Sequence, residues 1–141
     1  MPKYLLTNAK ITVNGVDLSI FAFSLDTPDA RDQVEVTGFN PAGTREYLPG
    51  QRTQSIVVSF LQGFGSSEPH QVLNPLYVSG SVFPISVQAN ATLPVSATNP
   101  TFSGSASLYD YDGLNGQLNA RGEIVATFLP ASGAGFQWGT A

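Results

Sequence analysis

The sequence predicts a mainly β fold: an antiparallel β-sandwich or barrel with one short flanking α-helix and a long inter-strand loop. Three observations carry this. Apolar residues recur at period two along most of the chain, the spacing that sends successive side chains to opposite faces of a strand. The alternating stretches are separated by turn signals drawn from 14 Gly and 10 Pro. A single segment has helical spacing instead. At 141 residues the chain reads as one domain, 1–141, with room for a sizeable core.

Ile11 and Val13 alternate with polar neighbours, and Asn14-Gly15 follows. Both central residues of a type I′ turn need positive φ, so this pair predicts a hairpin. The return strand is expected over 16–25. Its stretch Ile20, Phe21, Ala22 and Phe23 is apolar on both faces, which predicts cover on both sides. The next strand is expected over 33–39, with Val34 and Val36 inward and Glu35 outward. Residues 40–50 form the loop. A long strand over 52–62 follows, with Ile56, Val58 and Phe60 as its apolar face and Ser and Thr on the other.

A helix is expected over 68–77. Ser67 would cap it, Glu68 suits the positive end of the helix dipole and Pro69 suits the first turn. Val72, Leu73 and Leu76 form its apolar stripe, Pro75 bends or shortens it, and Gly80 stops it. Strands over 81–89 (Phe83, Ile85 and Val87 inward), 102–112 and 122–129 (Ile124, Ala126 and Phe128 on one face) complete the set. The tail, 130–141, is rich in Gly, Ala and Ser. Its Phe136 and Trp138 either anchor on a partner or fold back onto the core.

Only 11% of residues are charged, against about 25% in ordinary soluble domains. Either neighbouring subunits cover much of the surface, or the surface is neutral Ser, Thr, Asn and Gln. The net charge of −4 argues against tight nucleic-acid binding, which needs clustered Lys and Arg. There is no Cys, so disulfide frameworks and thiolate metal sites are excluded. No segment approaches the roughly 20 apolar residues of a membrane helix, and the N-terminus has no signal-peptide pattern.

No catalytic, cofactor or metal site emerges. Asp110 and Asp112 within YDYDGLNG start like a calcium loop, but a third acidic ligand and a bidentate Glu are missing. A strand end, with carboxylates on one face and tyrosines on the other, fits better. His70 is the only histidine and has no nucleophile elbow to serve. A surface or capping role suits it. An enzyme is the least supported reading. The loop between the third and fourth strands carries Arg45, Glu46 and Arg52 among Gly and Pro. It reads as a docking element.

TNAKITVNGVDLS, then QVEVTGF, GTREYLPG, LNPLYVSG, VFPISVQA and SATNPTFSGSASLYDY follow in order. Together they resemble the major tail tube proteins of long-tailed, siphophage-type bacteriophages over nearly the whole chain. VSATNP-x-FSG and REYLPG carry most of that specificity. The resemblance implies a small β-sandwich or barrel with one flanking helix. It implies six-membered rings stacked into a tail tube, a conduit for DNA ejection without specific DNA binding. Its partners would be further copies and the tail-tip, tape-measure and tail-terminator proteins. It would reside in the virion tail after assembly in the host cytoplasm, with no cofactor and no membrane. The segment before Thr7 is short for a ring-to-ring arm. Phe39, Arg45, Glu46, Tyr47, Leu48 and Arg52 are the expected subunit-interface residues. Glu35, Asp110 and Asp112 are expected to face the lumen, where acidic groups repel phosphate. The alternative is a capsid-decorating or carbohydrate-binding β-sandwich, which an exposed aromatic platform would favour.

Overall fold

The computed structural model describes residues 8–39 and 42–140; the segment before Asn8 and loop positions 40 and 41 lie outside them. Ten strands form. They are β1 (Lys10–Val13), β2 (Val16–Asp17), β3 (Ala22–Asp26), β4 (Asp29–Glu35), β5 (Tyr47–Gln54), β6 (Ile56–Leu61), β7 (Phe83–Gln88), β8 (Thr101–Asn115), β9 (Glu123–Pro130) and β10 (Gln137–Gly139). One helix, α1 (Pro69–Ser79), lies between β6 and β7. Eight strands make one antiparallel sheet in the order β2-β1-β7-β8-β9-β6-β3, with β10 also on β8. β4 and β5 form a separate two-stranded sheet.

Alternation decides which face is buried. Ile11, Val13, Ile56, Val58, Phe60, Phe83, Ile85, Val87, Ile124, Ala126 and Phe128 all enter one buried cluster, as the period-two pattern predicts. A flat sheet can bury a face only against another layer. Here the inward residues of five strands meet each other and Leu73 of α1, so the sheet curls around its own core. Phe83 and Phe128 meet edge to face, with centroids 5.8 Å apart.

The Asn14-Gly15 turn forms with φ of 50° and 81°. The expected return strand does not. Chain 16–25 breaks into β2, a 3-10 turn at Ser19–Phe21, and β3. That turn carries the chain from β2, at one end of the sheet order, to β3 at the other. The apolar run is covered on one side only: Phe21 and Ala22 pack against the core, whereas Ile20 is 85% exposed and Phe23 is exposed with the Arg121 guanidinium 4.2 Å over its ring.

The long strand expected over 52–62 is real but starts earlier, at Tyr47, and kinks at Ser55. Asp26 pairs with Val57 and Asp29 with Gln54, and the Ser55 amide donates to the Pro28 carbonyl between them (3.2 Å). β3–β4 and β5–β6 are therefore one antiparallel ribbon, half in the main sheet and half projecting. The third strand accordingly runs Asp29–Glu35 rather than over 33–39. Val34 and Val36 do not face a core, since the projecting half has none.

The helix is 11 residues long, with Pro69 at its start and Gly80 as a left-handed C-cap (φ 66°). Ser67 does not cap it. Ser67 itself has φ 61°, and Glu68 takes the N-cap position, its carboxylate accepting the Gly65 amide (2.6 Å). Pro75 does not end the helix, which continues to Ser79.

The loop after β7 is organised by one side chain. Asn99 is buried; its Nδ2 donates to the carbonyls of Asn90, Leu93 and Pro94, and its Oδ1 accepts the Asn90 amide (3.0–3.2 Å). A buried amide so satisfied is expensive to truncate. Asn99→Ala should cost about 2 kcal/mol, lowering Tm by roughly 5–10 °C in a thermal melt.

Candidate assembly surface

The projecting ribbon, here called the arm, pairs Val34 with Leu48 and Glu35 with Tyr47. Residues directly opposite share a face. One face therefore carries Val34, Leu48 and Val36, the last bonded through its amide to the Glu46 carbonyl (2.9 Å). The other carries Glu35 and Tyr47. Val34 and Leu48 are 50% and 56% exposed. Phe39, at the arm's end, is fully exposed. The two-stranded arm, anchored in the main sheet at its base, thus carries apolar residues that no other layer covers.

Arg45 does not pair with its neighbour Glu46. It reaches Glu35 across the arm at 4.0 Å, with both side chains largely exposed. The Glu46 amide instead donates to Thr37 Oγ1 (2.8 Å). Gly50 faces a bulge at Asp32: a Cβ there would lie 2.9 Å from Asp32 Cβ. Thus the REYLPG segment forms the return strand of the arm, and its glycine permits the bulge.

Arg52 sits at the arm's base rather than its tip. Its Nη2 donates to Asp29 Oδ2 at 2.5 Å. Gln54 Nε2 donates to the same carboxylate oxygen (3.2 Å) and to the Phe136 carbonyl (2.9 Å), while Gln54 Oε1 accepts the Phe136 amide (2.9 Å). Of the two aromatics in the tail, Phe136 folds back and is fully buried. Trp138 pairs opposite Phe102 in β10 and stays 60% exposed, its ring 4.7 Å from that of Phe102. The sequence reading missed Gln54 and Asp29. A glutamine in phase with Ile56, Val58 and Phe60 was the available signal for Gln54.

Asp110 and Asp112 lie exposed on one face of β8, but the tyrosines do not share the opposite one. A bulge between Leu108 and Asp110 inserts Tyr109, which is exposed, and resets the phase so that Tyr111 turns inward. Tyr111 Oη lies 2.7 Å from His70 Nδ1, so His70 is an internal partner, not a free surface group. Phe64, His70, Tyr77 and Tyr111 pack ring on tilted ring at 5.0–6.2 Å, with Phe64 and Tyr77 still exposed. Glu35 belongs to the arm, and Asp110 and Asp112 belong to β8 of the main sheet. Among the described residues, no three His, Cys, Asp or Glu side chains gather as a metal set.

Solved structures with this fold include a chain from the tail of an empty gene transfer agent particle, a tail treated by helical refinement with C6 symmetry. It superposes with a TM-score of 0.70 at 16% identity, covering 95% of this chain and 94% of that one. The fold is that of a gene transfer agent particle protein. A chain in the virion of a native gene transfer agent particle gives a TM-score of 0.72 at 16% identity, covering 94% of this chain and 95% of its own. At such identity the likeness is one of fold, and it agrees with the tail-tube resemblance of the sequence. No protein-family model and no curated protein matches the chain.

The hydrogen bond from Arg52 holds Asp29 below the ordinary aspartate value of 3.8, with Gln54 adding to the effect and burial opposing it. A depressed carboxylate contributes order that is complete above its unfolded value and is lost as pH falls through its folded value. The base of the arm should therefore hold above pH 3.8 and loosen below it. Amide exchange of the arm in the parent and in Asp29→Asn should differ near neutrality and converge in that acid range; a constant difference would assign the ordering to other groups.

Proposed function

We propose that this chain is a tail tube subunit, which polymerises as stacked six-membered rings into a hollow tail through which DNA leaves the particle. The superposition over 95% of the chain on a protein from a tail with C6 symmetry carries this reading. The exposed arm supports it, because a ring or stack would cover Val34, Val36 and Leu48. The free edge of β3 supports it too, since a closed assembly removes open edges. The role is structural, not enzymatic. The subunit is assembled in the host cytoplasm, remains in the virion tail, and meets tail-tip, tape-measure and tail-terminator proteins at its ends and lumen.

Phe39, Arg45, Glu46, Tyr47 and Leu48 form the inter-subunit contact in this proposal, and Arg52 braces it from within. Asp110 and Asp112 are the better lumen candidates, because Glu35 lies beside Arg45 on the contacting arm. Negative-stain microscopy of purified protein, alone and with tail-tip components, should show rings or tubes; a strict monomer under both conditions overturns the reading. Leu48→Asp and Arg45→Glu should reduce tube yield at least tenfold while changing folding stability by less than about 1 kcal/mol, as both side chains are exposed. In assembled tubes, Asp110→Lys with Asp112→Lys should create DNA retention that weakens steeply with salt; retention equal to the parent's would place these residues outside the lumen.

A further inference from the structure

We infer that the arm and the C-terminal strand are a coupled pair, latched by the side chain of Gln54, so that seating the strand aligns the arm and fixing the arm tightens the strand. The inference rests on the geometry at the arm's base and is independent of the tail reading.

Gln54 is the last residue of β5 and is 5% exposed. Its amide makes both hydrogen bonds that a strand backbone would offer Phe136, one donated and one accepted, each 2.9 Å. The same Nε2 reaches Asp29, which Arg52 holds from the other side. A continuous path of polar contacts thus runs from an exposed arm-base charge to the backbone preceding β10. The fit is tight. Gly135 has φ 67°, and a Cβ on it would lie 2.4 Å from Gln54 Oε1. A Cβ on Gly104 would lie 2.8 Å from the Gly135 carbonyl oxygen and from the Phe136 ring. The two glycines therefore let the segment approach β8 and Gln54 closely. Beyond it, β10 is three residues long and holds only the Thr101–Ser103 end of β8. So short a strand is held at its base by the buried Phe136 ring and by the Gln54 latch on the Phe136 backbone.

Release of the strand removes the Phe136 contacts of the Gln54 amide and leaves Asp29 as its remaining partner, so the amide re-orients at the base of the arm. Loss of arm alignment withdraws the partner of Phe136. Coupling between two sites is reciprocal in free energy, so a disturbance at either end must be felt at the other.

Trp138 is the only tryptophan and lies within β10, so its fluorescence reports seating directly. In the isolated subunit, Arg52→Ala, made at a partly exposed side chain, should raise acrylamide quenching of Trp138 and speed exchange of the Phe136 amide about tenfold, the worth of roughly one hydrogen bond. Gly135→Ala, made on the strand side, should speed exchange of the Val36 amide in the arm by a similar factor, with the β6–β9 ladder unchanged. Effects confined to the side that was altered would overturn the inference. If Gly135→Ala does not fold, Gln54→Met replaces it: the coupling requires that Arg52→Ala no longer change Trp138 quenching in that background, and a full remaining effect refutes it. Tube assembly is not read out in any arm, so failure here and failure of the tail reading are separate results.

Discussion

One strand pair has to serve two environments, and the rest of the molecule is arranged around where it changes from one to the other. Along the ribbon β3–β4 and β5–β6 the side chains alternate faces throughout. In the body the inward positions are Phe60, Val58 and Ile56, and the next inward position is Gln54. An amide there would be costly without partners. The Phe136 backbone and Asp29 supply them, which requires the tail to return to this point and the arm to start here. Beyond that residue no layer covers the ribbon, and its valines and leucine face solvent.

The parts legible in the sequence are those where burial on one side alone sets the pattern. β6, β7 and β9 show inward triplets that a hydrophobic alternation reports faithfully, and Asn14-Gly15 and Gly80 mark backbone positions that few other residues suit. The misread parts are those where a partner decides. Val34 and Val36 alternate as a core strand would, yet nothing in the subunit lies over them. Ile20 and Phe23 belong to an apolar run that the core covers on one side only, through Phe21 and Ala22. One inserted residue, Tyr109, inverts the face of everything after it, and no local signal announces it. In the candidate surface, the Gly, Pro and charge pattern points to the arm. The partners that hold it are 23 residues away for Arg52 and 82 for Gln54, beyond the reach of any window.

The segments that carry the tail-tube resemblance have physical reasons in this structure. In VSATNP-x-FSG, Asn99 ties its loop together, Phe102 enters the core, and Gly104 leaves room for the chain near Phe136. In REYLPG, Gly50 admits the Asp32 bulge that interrupts the arm's ladder. These are folding requirements first.

The latch also places events in time. The ribbon joins neighbouring strands through a local connection, whereas the Asn8–Asn90 and Gln54–Phe136 contacts each span 82 residues. Closing distant contacts is slower than closing near ones. A nascent chain thus displays its apolar arm before β10 can seat, and is most prone to stray association until β10 is in place. Pulse-labelled exchange would register that interval as protection in β3–β6 preceding protection at Phe136.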